Sequence, residues 1–274
     1  SNIFNGLNSP MIVFGGYVSL IAFFYFRGPV FLQEQNTIPG SVSRLLISTN
    51  KVSKIFCGFE TTKNFFKKYN KNFIDLVNTG NPVGKIKEKE NNILDSSPLK
   101  ILILGGSQGS MFLNESVPEI LEEFLEKKIV KVKHQTGFKN EAKVLNAYSA
   151  YLENVTIQEF ISDIESSYLW ADIVICRSGA LTVSEIIASR SVGIFVPIKA
   201  SIDDHQKENA NYLKSLNASW ILEESDSFNN ELRNLLSEII DNRNLIHEKR
   251  RNIRLIEIKD AESTIFNEVN AWYK

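Results

Sequence analysis

The segment Arg177–Ile186 (RSGALTVSEI) places small and hydroxyl-bearing residues at the start of a predicted helix, directly after the apolar run Ile173–Cys176. A helix start leaves backbone N–H groups without partners inside the helix, and its positive end attracts anions. Gly179 and Ala180 would let phosphate oxygens approach these N–H groups closely. Glu185 lies in the second turn, where a carboxylate can accept hydrogen bonds from both hydroxyls of a ribose. The segment therefore predicts a nucleotide diphosphate site; the alternative is a capped helix whose glutamate stabilises the helix dipole.

A second turn of the same kind follows another apolar run, in Ile101–Ser110 (ILILGGSQGS). Gly105, Gly106 and Gly109 would let backbone N–H groups approach a diphosphate, and the next helix would present its positive end there. The pattern lacks the Gly-Lys-Ser/Thr of a Walker loop and is not a complete G-x-G-x-x-G, so a structural tight turn is the alternative. Two such turns in one half of the chain favour a phosphate-binding role for both.

Polar side chains also gather where other predicted strands end. The segment Val196–Ala210 (VPIKASIDDHQKENA) contains Asp203, Asp204, His205, Gln206 and Asn209. Gln206 and Asn209 form an i, i+3 pair that is expected to face one ligand, because amides both donate to and accept from sugar hydroxyls. A capped, solvent-exposed helix start is the alternative. In the first half of the chain, Glu34 and Asn36 end a strand, and a carboxylate beside amides suits sugar binding or acid–base catalysis.

The remaining titratable residues point to no metal or redox chemistry. The histidines are far apart in the sequence, and His134, in the segment HQTG, is interpreted as structural. Cys57 and Cys176 each lie in an apolar run and are predicted to be buried free thiols. Because no C-x-x-C or His-rich spacing occurs, no metal site is predicted.

The elements that must position these residues show a regular alternation from about residue 98 onward. The predicted strands are Lys100–Leu104, Val130–Lys133, Val155–Gln158, Ile173–Cys176, Gly193–Pro197 and Trp220–Leu222. The predicted helices lie near 112–126, 138–150, 161–169, 181–189, 204–215 and 227–240. This alternation predicts a parallel sheet covered by helices on both faces, with ligands bound beyond the carboxyl ends of its strands.

Residues 1–84 show the same alternation less completely. The predicted strands there are Ile12–Phe14, Val30–Gln33, Lys54–Phe56 and Phe73–Val77. The polar, aperiodic segment 85–97 is predicted to be a linker, 98–258 the second domain, and 259–274 a C-terminal helix that packs back on the first domain. The predicted fold class is α/β, with two Rossmann-like doubly wound domains separated by a cleft.

Length and charge narrow the classes of function. The chain has 274 residues, enough for two modest domains, and its formal charge of -1 argues against non-specific nucleic-acid binding. Residues 1–84 carry eight Lys and Arg against three acidic residues, which indicates an anionic ligand or membrane surface; a solvated lysine face is the alternative. Met11–Phe26 is apolar but shorter than the ~20 residues needed to span a bilayer, so we expect a buried strand, loop and helix.

Taken together, these segments resemble the MurG family of glycosyltransferases, which add N-acetylglucosamine to the lipid-linked muramyl-pentapeptide of peptidoglycan synthesis. The matching stretches, in family order, are GGYVS (Gly15–Ser19), EQN (Glu34–Asn36), GNPV (Gly80–Val83), GGSQGS (Gly105–Ser110), HQTG (His134–Gly137), EFISD (Glu159–Asp163), WADIVICRSGALTVSEI (Trp170–Ile186) and VPIKASIDDHQKENA. The resemblance implies a GT-B fold whose first domain is incomplete here. It also implies inverting transfer of GlcNAc from UDP-GlcNAc to undecaprenyl-pyrophosphoryl-MurNAc-pentapeptide, at the cytoplasmic face of the bacterial inner membrane.

The resemblance further implies roles for individual residues. The donor-binding set is Asn36, Ser107, Ile161, Ala180, Leu181, Thr182, Val183, Ser184, Glu185 and Gln206. Within it, Ser107 is expected near the diphosphate, Ile161 against the uracil, and Gln206 on the sugar hydroxyls. Gly15, Gly16 and Tyr17 would form an acceptor or phosphate loop. The family needs no cofactor and no tightly held metal, because helix ends and neutral donors offset the charge of the leaving diphosphate.

Differences from the family pattern bear on catalysis. Family members open with a glycine-rich loop of the type G-G-T-G-G-H, and this sequence does not contain it, so the base is expected upstream of Ser1, with Glu34 as the alternative. The family's His before EQN is Gln33, and its Arg after NPV is Gly84. Three hypotheses follow: the transferase itself, a truncated non-catalytic relative that binds UDP-sugar, and a UDP-sugar transferase with another acceptor.

Overall fold

The computed structural model of the chain describes residues 10–49, 51–69, 74–89, 98–199 and 204–272. Within these residues, the strands form two parallel sheets, one of four strands and one of six. Each sheet is built from consecutive strand–helix units, as the alternation of apolar runs and amphipathic stretches predicts. The predicted α/β fold class is confirmed.

The first sheet has the strand order β1-β2-β3-β4, and every neighbouring pair is parallel. Its strands are β1 (Met11–Val13), β2 (Val30–Glu34), β3 (Val52–Cys57) and β4 (Asp75–Asn78), and its helices are α1 (Gly16–Tyr25), α2 (Ser41–Ile47) and α3 (Glu60–Tyr69). On one face, Leu32, Ile55 and Phe66 are buried in a shared core. Successive side chains of a strand point to opposite faces, so Phe31 and Phe56 pair edge to face on the other side, with ring centroids 5.8 Å apart.

The second sheet has the strand order β10-β9-β8-β5-β6-β7, again with parallel neighbours. Its strands are β5 (Leu99–Leu104), β6 (Val130–Gln135), β7 (Val155–Gln158), β8 (Ile173–Cys176), β9 (Gly193–Phe195) and β10 (Ser219–Ile221). The chain adds β6 and β7 on one side of β5 and then crosses to β8, β9 and β10 on the other. This reversal is the doubly wound Rossmann arrangement, and it opens a crevice at the carboxyl ends of β5 and β8.

Helices cover the second sheet and extend beyond it. They are α4 (Met111–Glu126), α5 (Glu141–Ala147), α6 (Ile164–Trp170), α7 (Ala180–Ser189), α8 (His205–Ser215), α9 (Phe228–Asp241), α10 (Asn244–Arg254) and α11 (Ala261–Ala271). Three of these starts are set by side-chain caps: the Ser110 hydroxyl accepts from the Leu113 N–H, the Asp163 carboxylate from the Ser166 N–H, and the Asp260 carboxylate from the Ser263 N–H.

The structure corrects several predicted boundaries. Helix α5 begins later than the predicted 138, because Lys139 has a φ of +63°, which is not helical, and the helix ends at Ala147 rather than near 150. Helix α6 begins at Ile164, after its cap at Asp163, so Ile161 lies in the preceding loop and not in the helix. Helix α10 was not predicted at all. It buries Ile246 and Ile253, but its third buried position is an arginine, which obscures the apolar repeat.

Met11–Tyr25 forms the predicted strand, loop and helix, but α1 is not fully buried. Phe23 packs into the core, whereas Tyr17, at 78% exposure, and Val18 and Phe24 lie on the surface. No helix within the described residues is both long and apolar enough to cross a bilayer. Cys57 and Cys176 are buried free thiols, as predicted.

The predicted linker and the predicted C-terminal helix both make specific contacts. Residues 85–89 have no helix or strand, and 90–97 lie outside the described residues. The Lys89 ammonium donates to the carbonyl oxygens of Leu169 and Ala171 and lies 3.6 Å from Asp172. Helix α11 contacts the first sheet through an ion pair between Glu268 and Lys54 of β3. The domain boundaries themselves stay predictions.

Candidate functional site

The two glycine-opened turns lie side by side where the strand order of the second sheet reverses. Residues 105–110 follow β5 and residues 177–179 follow β8. The two strands are hydrogen-bonded neighbours, and their last residues, Leu104 and Cys176, are direct partners in the register. Both predicted phosphate turns therefore border one crevice, at the edge of an α/β sheet that commonly binds ligands.

The glycines of the first turn serve two different purposes. A Cβ at Gly109 would overlap the carbonyl oxygen of Thr136, and one at Gly137 would overlap the backbone of Gly109. Gly109 is thus required by close packing against the end of β6, and not only by access for a ligand as its pattern suggested. Gly106 has a φ of +82° and no heavy atom within 4 Å of an added Cβ. Gly106 and the exposed Ser107 border open space beside the crevice.

Helix α7 begins at the crevice without a side-chain cap. Its N-cap residue is Gly179, so the first N–H groups of the helix have no side-chain acceptor. The predicted donor-binding residues differ here in accessibility. Leu181 is exposed and Thr182 is half-buried, whereas Ala180 and Val183 are buried. The side chain of Val183 belongs to the core, and its N–H donates to the Gly179 carbonyl oxygen at 3.0 Å, so its predicted contact with the donor stays a prediction.

Glu185 lies one turn further along α7, half-buried between α7 and α6. The Tyr168 hydroxyl donates a hydrogen bond of 2.8 Å to its Oε2 atom. Burial raises the pKa of Glu185, and the hydrogen bond from Tyr168 opposes that shift. Burial also raises the pKa of Tyr168 well above its usual value, so the phenol stays a neutral donor.

Ile161 is buried in the core of the second sheet. It follows the end of β7 at Gln158. The neighbouring Phe160 is exposed. The predicted contact of Ile161 with the uracil stays a prediction.

The loop after β2 is ordered by the carboxylate of Glu34. Glu34 is buried, and its Oε1 accepts from the backbone N–H and the side-chain amide of Asn36, at 3.0 and 3.1 Å. Its Oε2 accepts from the backbone N–H of Gly40 at 3.2 Å. These bonds hold the turn that leads into α2. A role for Glu34 as base remains a prediction beside this loop-forming role.

Asn209 of α8 joins this loop to the second sheet. Its Oδ1 accepts from the N–H and the hydroxyl of Thr37, both at 3.0 Å. Its Nδ2 donates to Asn36 Oδ1 at 3.1 Å and to the carbonyl oxygen of Ser178 at 3.2 Å. Asn209 is fully buried, and both ends of its amide are occupied. The expectation that Asn209 and Gln206 face one ligand together is therefore wrong.

Gln206 and its neighbours lie at the start of α8. The Gln206 Oε1 accepts from the backbone N–H of Ile198 at 3.2 Å, which fixes the side chain near the end of β9. Asp204 is exposed, and Asp203 lies outside the described residues. The His205 ring approaches Gly40 of the first-sheet loop, where an added Cβ would lie 3.5 Å from its Nε2.

Asn81 makes a second connection between the sheets. Its Nδ2 donates to the Gln35 carbonyl oxygen at 2.8 Å and to the Ser184 hydroxyl of α7 at 2.9 Å. Gln33 is fully buried and donates to Asn81 Oδ1 at 3.4 Å. The side chain of Ser184 therefore contacts the first half of the chain, and its role in donor binding stays a prediction.

The predicted acceptor loop follows β1 at the carboxyl edge of the first sheet. Gly15 and Gly16 both have positive φ, of +73° and +74°. An added Cβ at Gly15 would lie 3.1 Å from the Ser43 hydroxyl, whereas Gly16 has open space around it. Tyr17 is exposed, so the loop presents backbone and an aromatic ring to the surface.

His134 has a structural role, as interpreted from the sequence. Its ring is buried between Asn114 Oδ1, at 3.0 Å, and the Tyr148 hydroxyl, at 3.3 Å. Burial lowers its pKa to about 3, so the ring is neutral. Within the described part of the chain, no group of His, Cys, Asp and Glu residues could hold a metal ion.

Sequence reasoning missed three residues that shape this site: Tyr168, Thr37 and Asn81. Tyr168 occupies an apolar position of α6, and its hydroxyl finds Glu185 only through the packing of α6 against α7. Asn81 belongs to the recognised GNPV stretch, yet its bonds to Gln35 and Ser184 depend on how the two sheets meet. No spacing along the chain signals such contacts.

Comparison with known sequences gives concordant results. The pattern of the Glycosyltransferase family 28 C-terminal domain matches residues 100–265. The UDP-N-acetylglucosamine--N-acetylmuramyl-(pentapeptide) pyrophosphoryl-undecaprenol N-acetylglucosamine transferase of Shewanella halifaxensis is 34% identical over 247 residues, covering 87% of this chain and 64% of the relative. The transferase of the same name from Francisella tularensis subsp. tularensis is 34% identical over 268 residues, covering 94% and 71%. The chain thus spans about two thirds of these relatives.

Solved structures agree with the sequence comparison. A crystal structure of Acinetobacter baumannii MurG is similar with a TM-score of 0.74 and 30% identity, covering 95% of this chain and 74% of that one. The S. aureus MnaA structure with UDP has a TM-score of 0.70 at 13% identity, a likeness of fold alone. The chain belongs to glycosyltransferase family 28 and, within it, to the MurG family.

Proposed function

We propose that this chain binds UDP-GlcNAc in the crevice between the carboxyl ends of β5 and β8. One observation carries the proposal: two glycine-containing turns follow the neighbouring strands β5 and β8 at the switch point of the sheet, and the second turn opens the helix that carries Glu185. The turn at Gly106–Ser107 and the start of α7 would hold the diphosphate through backbone N–H groups. Glu185 would accept from the ribose hydroxyls, and Gln206 would reach the sugar.

The proposed reaction is a single displacement with inversion. The hydroxyl oxygen of the acceptor sugar attacks the anomeric carbon of GlcNAc, the bond from that carbon to the diphosphate oxygen breaks, and UDP leaves with the bonding electrons. The positive ends of the helices would stabilise the charge that develops on the diphosphate. The proton of the attacking hydroxyl must pass to a base. Among the described residues, Glu34 is the candidate, and its present partners are all groups of its own loop.

The proposed acceptor is the undecaprenyl-pyrophosphoryl-MurNAc-pentapeptide that relatives are named for, and the proposed location is the cytoplasmic face of the inner membrane. The exposed side chains of α1 support a peripheral contact with that surface. Tyr17, Val18, Phe24 and Tyr25 form a large exposed apolar set on one short helix. The excess of basic residues in 1–84 would attract anionic lipids to the same half of the chain.

Binding and transfer should be measured separately. Calorimetry with UDP-GlcNAc should show binding that Glu185→Ala weakens and that Glu119→Ala, an exposed acid on α4, leaves unchanged. Transfer of labelled GlcNAc should then be followed with the lipid-linked acceptor in vesicles. Binding without transfer would favour a non-catalytic relative that binds UDP-sugar. Transfer to an acceptor without a polyprenyl chain would favour a UDP-sugar transferase with another acceptor. If UDP-GlcNAc does not bind, or Glu185→Ala binds it as well as the wild type, the proposed site is wrong.

A further inference from the structure

The hydrogen bond between Tyr168 and Glu185 lies next to the proposed nucleotide site. Membership of the family assigns it no role. Tyr168 is fully buried on α6, and its hydroxyl lies 2.8 Å from Glu185 Oε2. Among the described residues, it is the only hydrogen bond that the Glu185 carboxylate makes. The carboxylate is therefore held by one donor and otherwise available.

Tyr168 is rigidly placed. Its ring belongs to the main core of the second sheet, and its backbone carbonyl oxygen accepts from the Ser191 hydroxyl at 3.5 Å. A donor that cannot move fixes the direction of the acceptor it holds, as outer-shell partners do for metal ligands and catalytic groups. Glutamate has three side-chain torsions, so an unheld Glu185 would sample several directions and lose entropy on binding.

The bond from Tyr168 also leaves lone pairs of the Glu185 carboxylate free to accept from a ligand. An ionised carboxylate offers about four lone-pair sites, of which Tyr168 uses one on Oε2. Oε1 and the second lone pair of Oε2 stay free, and two adjacent hydroxyl groups can donate to them together. A vicinal diol matches this arrangement better than a single hydroxyl or an amine.

We propose that Tyr168 is a positioning residue that orients the Glu185 carboxylate to receive the vicinal 2′,3′-diol of a ribonucleotide. The proposal rests on the proposed donor site and adds the source of its discrimination for ribose. A site built to accept from a hydroxyl rejects analogues that lack it, because its polar group is then left without a partner. Loss of the Tyr168 hydroxyl should relax that discrimination without removing the phosphate contacts of the two turns.

The test compares UDP with 2′,3′-dideoxy-UDP by calorimetry on the full chain. The variants are Tyr168→Phe, Glu185→Gln and the matched control Tyr148→Phe, which removes an equally buried tyrosine hydroxyl that bonds His134 instead. Tyr168→Phe should weaken UDP binding about tenfold, the lower end expected for a bond to a charged group, and should leave dideoxy-UDP binding unchanged. Tyr148→Phe should change neither ligand.

A pH series adds a readout that general damage to the fold would not move. The bond from Tyr168 lowers the pKa of Glu185 against the effect of burial. Its loss should therefore shift the acid limb of UDP binding to higher pH in Tyr168→Phe. Circular dichroism should establish that each variant is folded. If Tyr168→Phe does not fold, Tyr168→Met, which also lacks the hydroxyl donor but leaves Glu185 in place, should show the same loss of diol discrimination.

The outcomes separate the two proposals. If Glu185→Gln weakens UDP binding but Tyr168→Phe binds like the wild type, the donor site stands and the positioning role is refuted. Equal losses for UDP and dideoxy-UDP in Tyr168→Phe also refute it, as does retained discrimination in Tyr168→Met. If the wild type does not bind UDP, or Glu185→Gln has no effect, the donor site itself fails and the positioning role fails with it.

Discussion

Replacing Asn209 with alanine should release the loop after β2 from the second sheet. Asn209 is buried and joins Thr37 and Asn36 on one side to Ser178 on the other through four hydrogen bonds of 3.0–3.2 Å. Alanine removes every one of these bonds. It also leaves the buried Thr37 N–H and Ser178 carbonyl oxygen without their partner.

The size of the effect follows from the number of bonds. At about 0.5–1.5 kcal/mol for each, four bonds amount to roughly 2–6 kcal/mol. Water can enter the space left by the side chain and recover part of this, so we expect about 2–4 kcal/mol. Because 1.4 kcal/mol corresponds to a factor of ten, this is about a 30- to 700-fold change in the equilibrium for opening the contact.

Hydrogen exchange measured by mass spectrometry on a peptide covering 34–40 is the direct assay. The Thr37 amide donates to Asn209, so its protection should fall by about that factor in Asn209→Ala. Asn211→Ala is the matched control, since Asn211 lies two residues further along α8 and makes a single 3.5 Å bond to Glu208. Unchanged protection of Thr37 in Asn209→Ala would refute the view that this amide holds the two halves of the site together.

Three further outcomes are expected. Gly106→Ala should cost about 1–2 kcal/mol for its positive φ alone, and Gly137→Ala about 1–3 kcal/mol more because its Cβ would overlap Gly109; urea unfolding of both variants measures the difference. His134 has a pKa lowered to about 3 from 6.5, so the unfolded chain takes up the proton first and stability falls as pH drops from 6.5 towards 3, by about 1.4 kcal/mol per unit. His134→Gln should have a flatter dependence of urea midpoint on pH across that window, and an equal slope would contradict the assignment. Lys89→Ala should destabilise the chain by about 3 kcal/mol, because it leaves the buried Asp172 without its ammonium partner; a thermal midpoint equal to that of the wild type would show that the pair contributes nothing.

Much of the fold could be read from the chain, because strands and helices here follow local patterns. The run Ile173–Cys176 is apolar and short, and Ser110 and Asp163 cap the helices that follow them. Helix α10 was not predicted because its local pattern is interrupted. Arg250 occupies one of its buried positions, and a charged residue there breaks the pattern on which the prediction depends.

In the candidate site, too, features set by neighbouring residues were predictable from the sequence. The sequence by itself determined that two glycine-opened turns follow apolar strands and that Glu185 lies within one of the helices they open. Both features depend on residues close together in the chain. Parallel strands share one carboxyl edge, so the sequence also placed both turns at that edge, whereas their adjacency depends on the pairing of β5 with β8 in the structure.

Only the tertiary structure decided which polar side chains face that crevice and which hold the protein together. Asn209 and Ser184 are of residue types that often bind ligands, yet their side chains join the first half of the chain to the second. Tyr168 occupies an apolar position typical of a core residue, yet its hydroxyl donates to Glu185. The physical reason is that a buried polar group must find a partner, and for these residues the partner lies on another element whose position depends on the packing of the whole domain.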